Sequence, residues 1–175
     1  MVDVADMSPL SQIIPPPTKP TGLDKPGLWQ HTELKLTTAL PSDFRQLIQT
    51  YGSGTLGDFL WIWNPFTPEF IEEQQRFLQA ETSLRQALPA QAAYSLFPHS
   101  PGFLPCASDD NGNYYGWLTE GQPDTWPTMT CEVRGSGFQL HRLSFSDYLV
   151  ALFKGDIPAL ASDWPKAEHR VFESS

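Results

Sequence analysis

Leu104-Pro105-Cys106-Ala107-Ser108-Asp109-Asp110-Asn111-Gly112-Asn113-Tyr114-Tyr115-Gly116-Trp117-Leu118 is the stretch that decides the fold. Asn-Gly tolerates the positive φ values of a tight turn, and Asp beside it bonds nearby backbone N–H groups. The chain therefore turns at Asp110-Asn111-Gly112-Asn113 and pairs a strand Leu104–Ala107 with a strand Tyr114–Leu118. Downstream, Thr128–Arg134 alternates as a strand does, Gly135-Ser136-Gly137 turns the chain, and Phe138–Arg142 returns. Upstream, Asp58–Trp63 places Phe59, Trp61 and Trp63 on one face and Leu60 and Ile62 on the other. Both faces are apolar, which predicts a central strand covered on each side.

Helical patterns bracket these strands. In Ser42–Tyr51 the residues Phe44, Leu47, Ile48 and Tyr51 fall on one stripe. Ser42 is placed to cap that helix, Asp43 suits its positive end, and Gly52 stops it. Thr67-Pro68-Glu69 opens a second helix, with Phe70, Ile71, Phe77, Leu78, Leu84 and Leu88 on its apolar side and Pro89 barring its continuation. Ser144 and Asp147 stand at capping-box spacing before Phe145, Tyr148, Leu149, Leu152 and Phe153, and Gly155 closes this last helix. The pattern predicts one α+β domain, a mainly antiparallel β-sheet packed by helices. Prolines at 9, 15, 16, 17, 20 and 26 predict that Pro9–Pro26 is neither helix nor interior strand but an extended, polyproline-like arm. Pro17-Thr18-Lys19-Pro20 also suits a proline-binding module, though a plain tail or a strap over the domain is preferred. The division is an arm at 1–28, a domain at 29–157 and a weakly patterned tail at 158–175.

The 175 residues carry 11 basic and 20 acidic side chains, a net charge of −9, with 13% aromatics. A core is available and disorder throughout is excluded. The longest apolar run, Phe59–Trp63, is far short of the ~20 residues of a membrane span. Asp3 and Asp6 stand where a secretory signal carries positive charge, so a soluble, cytoplasmic protein is expected. Cys106 and Cys131 give neither a disulfide framework nor zinc spacing. The acidic balance argues against nucleic acid and favours small molecules or a basic protein.

No catalytic constellation emerges. The histidines at 31, 99, 141 and 169 are scattered, and a His99/Cys106 pair is the one remote hydrolase reading. Gly135-Ser136-Gly137 lacks the spacing of a nucleophile elbow, and no phosphate-cradling glycine motif occurs. Asp109, Asn111, Asn113 and Glu120 match positions 1, 3, 5 and 12 of a calcium loop, but Tyr114 stands where its turn needs Gly, so the hairpin is preferred. No metal and no cofactor is expected. Charge is distributed unevenly: residues 86–133 hold no Lys or Arg, yet carry Asp109, Asp110, Glu120, Asp124 and Glu132 among large aromatics. Acids interleaved with aromatics suit recognition of a basic protein. The candidate contacts are Asp109, Asp110, Glu120 and Asp124 as charges and Tyr115, Trp117 and Trp126 as anchors. The alternative is that the aromatics pack in the core and the acids solvate turns.

Leu40-Pro41-Ser42-Asp43-Phe44, Tyr51-Gly52-Ser53-Gly54 and Asp58 to Phe66 resemble the opening of a Smi/Knr-type domain of the SUKH superfamily. Leu96-Phe97-Pro98, Asp110-Asn111-Gly112-Asn113 with Trp117, and Ser144-Phe145-Ser146-Asp147-Tyr148-Leu149 follow in that family's order, over about Trp29 to Ile157. The resemblance implies an α+β fold and no enzymatic activity. It further implies an immunity protein that binds and blocks a cognate toxin, often a nuclease or deaminase, with a regulatory scaffold like the family's fungal cell-wall-synthesis regulator as the alternative. A nuclease presents a basic site, which an acidic surface can occupy, and charge steering speeds the encounter.

Overall fold

A computed structural model describes residues 6–23, 26–88 and 94–175. Asp3 and Pro89, invoked above, lie outside the described residues. The helices are α1 (Ser8–Ile13), α2 (Leu28–Leu36), α3 (Ser42–Tyr51), α4 (Pro68–Ala87) and α5 (Phe145–Lys154). The strands are β1 (Gly54–Leu56), β2 (Leu60–Ile62), β3 (Ser95–Leu96), β4 (Gly102–Asp109), β5 (Tyr114–Leu118), β6 (Thr128–Glu132), β7 (Gly137–His141) and β8 (Phe172–Ser174). They form one eight-stranded sheet in the order β7-β6-β5-β4-β2-β1-β8, with β3 beside β4. Every pairing is antiparallel except β3 with β4. The fold is therefore α+β, as the two hairpins and flanking helices predict.

Strand alternation gives the sheet two unlike faces. On the inner face α3 and α5 cover Tyr115 and Trp117: the Trp117 ring lies edge-on to Phe44 at 5.0 Å, and Tyr115 faces Tyr148 at 6.3 Å. Asp43 ties the two helices together by accepting from Phe44 N and Ser146 N, at 2.8 and 2.9 Å. Burial pushes its carboxyl above the ordinary 3.8, against the pull of those N–H groups. On the outer face α4 provides cover, with Phe77 packed 4.6 Å from Tyr114 and 5.3 Å from Phe103, and Tyr94 packs 6.0 Å from Phe138.

Several elements depart from the sequence reading. The arm is not extended throughout: Ser8–Ile13 is helical, because a proline in the first turn lacks only an N–H that would have no helical partner. Leu10 and Ile14 join the main core, and the Tyr51 hydroxyl donates to Ile14 O at 2.7 Å. Farther along, Thr21 pairs with Gly52. A Cβ on Gly52, at φ +76°, would meet Thr21 O at 2.2 Å, so the residue that stops α3 also admits the crossing arm. The tail contributes β8, whose partner is β1. Ser42 is not a cap but the first residue of α3, and its N–H is met by Asp124 Oδ1 at 2.6 Å. The N-cap of α5 forms, with Ser144 Oγ accepting from Asp147 N at 3.2 Å, but the box does not close on the Ser144 N–H: the Asp147 carboxylate accepts from the Ser144 hydroxyl at 2.8 Å. In α4, Phe70 and Phe77 are buried, whereas Leu78, Leu84 and Leu88 remain substantially exposed. Twenty residues at ~1.5 Å each make α4 about 30 Å long.

Candidate functional site

The β4–β5 hairpin sorts its carboxylates by face. Asp109 pairs with Leu60 in register and turns inward, only 5% exposed. Its Oδ1 accepts from Asn111 N and Asn113 N, both at 3.0 Å, and its Oδ2 from Asn113 Nδ2 at 3.0 Å and the Tyr115 hydroxyl at 2.8 Å. Burial, and next the negative charge of Asp109, push the Tyr115 hydroxyl pKa well up, so it stays a donor. Asp109 thus closes the turn, and the calcium-loop spacing is a consequence of that turn. Among the described residues no three His, Cys, Asp or Glu side chains gather in a metal-holding group.

The same geometry corrects four of the seven proposed contacts. Asp109 is spent on the turn, while Tyr115, Trp117 and Trp126 are 1%, 0% and 5% exposed. Period-two alternation aims Tyr115 and Trp117 at α3 and α5, and Trp126 packs beside Trp117 at 6.2 Å. None of these rings can reach a partner without unfolding. Asp124 is exposed, but its carboxylate caps α3. Glu120 is also exposed and lies beyond the far end of β5, about 17 Å along the strand from the turn that carries Asp110. The acids of residues 86–133 therefore do not form one patch. The Cys106/His99 pair fares no better: Cys106 is fully buried, its thiol pushed well up by desolvation, while His99 is exposed. A thiol held protonated is a poor nucleophile.

What the outer face does assemble is a ledge around Trp61. One lateral row of residues runs Glu173, Thr55, Trp61, Ser108, Tyr114, Cys131, Phe138 across seven strands. Phe77 of α4 covers the row at Tyr114, but Trp61 is 48% exposed. The central, doubly covered β2 expected from its sequence is central in the sheet and open on this face. Trp61 Nε1 donates to Asp110 Oδ1 at 2.7 Å, which fixes the indole against the hairpin tip. Beside it opens a cavity of about 430 Å3, lined by residues including Trp61, Trp63, Asn64, Ser108, Glu69 and Glu73. Glu69 lies in the first turn of α4, where a backbone N–H and the Thr67 hydroxyl hold its carboxyl below the usual value. Arg76 pairs with Glu73, and more distantly with Glu72 at 3.9 Å. An exposed ring with a locked edge and an acidic rim is equipped to bind, since a half-exposed indole offers apolar area at little ordering cost. The sequence pattern misses Trp61 because its alternation reads as core, and the Asp110 that fixes it lies 49 residues away in the chain.

No helix among the described residues is long and apolar enough to cross a membrane. The model of the SMI1 / KNR4 family (SUKH-1) matches residues 26–150, well over half of the chain. No curated protein and no solved structure matches the chain significantly. The matched region holds α2, α3, α4, the first seven strands and the start of α5, and leaves out α1 and β8.

Proposed function

The chain belongs to the SMI1/KNR4 (SUKH-1) family, a protein-interaction and immunity type of module, and from that premise we propose that it neutralises a cognate basic toxin by covering the toxin's active site. It does so as a non-enzymatic binding protein in the cytoplasm, and its contact surface is the Trp61 ledge. The observation that carries this reading is the half-exposed indole locked to Asp110 at the mouth of an acid-rimmed cavity. Exposed tryptophans are the commonest binding anchors, and flanking carboxylates steer a basic partner into register. Asp110 keeps its place among the contacts; Glu120 and Asp124 do not, because one lies at the far end of β5 and the other caps α3.

The test is capture of a partner from the native host with the full chain as bait. Trp61→Ala is expected to weaken binding by ~2–4 kcal/mol and Asp110→Lys by ~1–3 kcal/mol, the latter less at high salt. Glu120→Lys is expected to leave capture intact. Capture that survives both ledge variants and fails with Glu120→Lys would overturn the assignment.

A further inference from the structure

We propose that the cavity beside Trp61 is a seat for one arginine side chain of the partner. This rests on the binding function proposed above and names the chemistry its surface takes. The argument is one of unspent hydrogen-bonding capacity. The ring and amide donors at the cavity are all already engaged: Trp61 Nε1 by Asp110, Trp63 Nε1 by Ser108 Oγ at 3.1 Å, and Asn64 Nδ2 by Gly22 O and Ser53 Oγ at 2.7 and 2.6 Å. The Ser53 and Ser108 hydroxyls only accept in these bonds and keep a proton to donate, so charge decides the occupant, and the rim groups without an ion pair are carboxylates. Asp110 has only Oδ1 engaged by Trp61, and neither Asp110 nor Glu69 forms an ion pair among the described residues. Glu73 is already held by Arg76 on the solvent side of α4. An occupant must therefore bring donors and positive charge, and must also cover an indole face. A guanidinium meets all three requirements: its plane stacks on the ring while its fork reaches carboxylates on either side. An ammonium supplies charge without a plane, and an acidic or purely apolar group would leave the rim oxygens unpaired.

The experiment uses the full-length, nitrogen-15-labelled chain and follows the indole N–H resonance of Trp61, identified by its loss in Trp61→Phe. The probes are acetyl-Gly-Arg-Gly-amide and its lysine and glutamate counterparts. The arginine peptide is expected to shift that resonance saturably, the lysine peptide to bind about threefold more weakly or worse, and the glutamate peptide to have no effect. Asp110→Asn should weaken arginine binding about threefold or more. A silent Trp61 resonance, or equal responses to arginine and lysine, would overturn the arginine seat. If Trp61→Ala abolishes partner capture while the arginine peptide is silent, the seat falls and the ledge stands. Saturable arginine binding with capture unaffected by Trp61→Ala would mean the reverse.

Discussion

Asp109 and Asp110 are neighbours on one hairpin, yet they belong to different regions of the molecule. The first is buried on the inner face, accepting from two backbone and two side-chain donors beneath α3 and α5. The second is on the outer ledge, bonded through one oxygen to an exposed indole. Tyr115 and Trp61 repeat the contrast: both are aromatic strand residues, one 1% and the other 48% exposed. Residue type does not separate the two regions. Which face each residue takes, and whether a helix lies over that face, does.

The sharpest way to break this contrast is to truncate both acids. Asp109→Ala strands the Tyr115 hydroxyl and the Asn113 donors in the interior and is expected to cost ~3–5 kcal/mol, measured by urea unfolding. Asp110→Ala should cost under ~1 kcal/mol, because water replaces the acid at the surface. Equal losses would mean that the two regions are not energetically distinct. Next in size is Leu10→Ala in α1, which empties a core site and is expected to cost ~2–4 kcal/mol. A negligible loss would show the N-terminal arm to be dispensable to the inner region. Trp61→Ala should lower the thermal midpoint only slightly, by the equivalent of about 1 kcal/mol or less, while damaging binding. A large drop would make the ledge part of the core.

The smallest effect concerns His141, which packs on Tyr148 at 4.8 Å at the edge of the inner region. Burial pulls its imidazole below the usual 6.5, so the unfolded chain binds a proton that the folded chain resists. Its contribution is fully present above pH 6.5 and is lost as pH falls from 6.5 toward the depressed folded value. His141→Gln, which keeps a polar partner for Thr130, should flatten that part of the stability profile. An unchanged slope would assign the pH dependence to other groups.

Much of this was legible in the residues. Asn111-Gly112 set the hairpin, Ser144 caps α5 through the Asp147 N–H, and Phe44, Leu47 and Ile48 mark the buried stripe of α3. The helical start of the arm is not legible because a proline-rich run masks a single helix-opening Pro9, and β8 is not because three residues pair only when β1 is already in place. The acidic, aromatic segment was the larger error. Its charge is visible, but Asp109 closes its own hairpin turn and Asp124 meets the Ser42 N–H, 82 residues away in the chain.

The sequence by itself determined the α+β class, both hairpin turns and the stops of α3 and α5, because each rests on spacing and turn chemistry within a few residues, while the family is carried by ordered pieces spread over residues 26–150. Only the tertiary structure decided which aromatics meet solvent. Alternation places side chains on two faces without saying which face a helix will cover, and that depends on contacts between segments far apart in the chain. Phe77 of α4 covers Tyr114, whereas Trp61 in the same row stays 48% exposed beside the first turns of that helix.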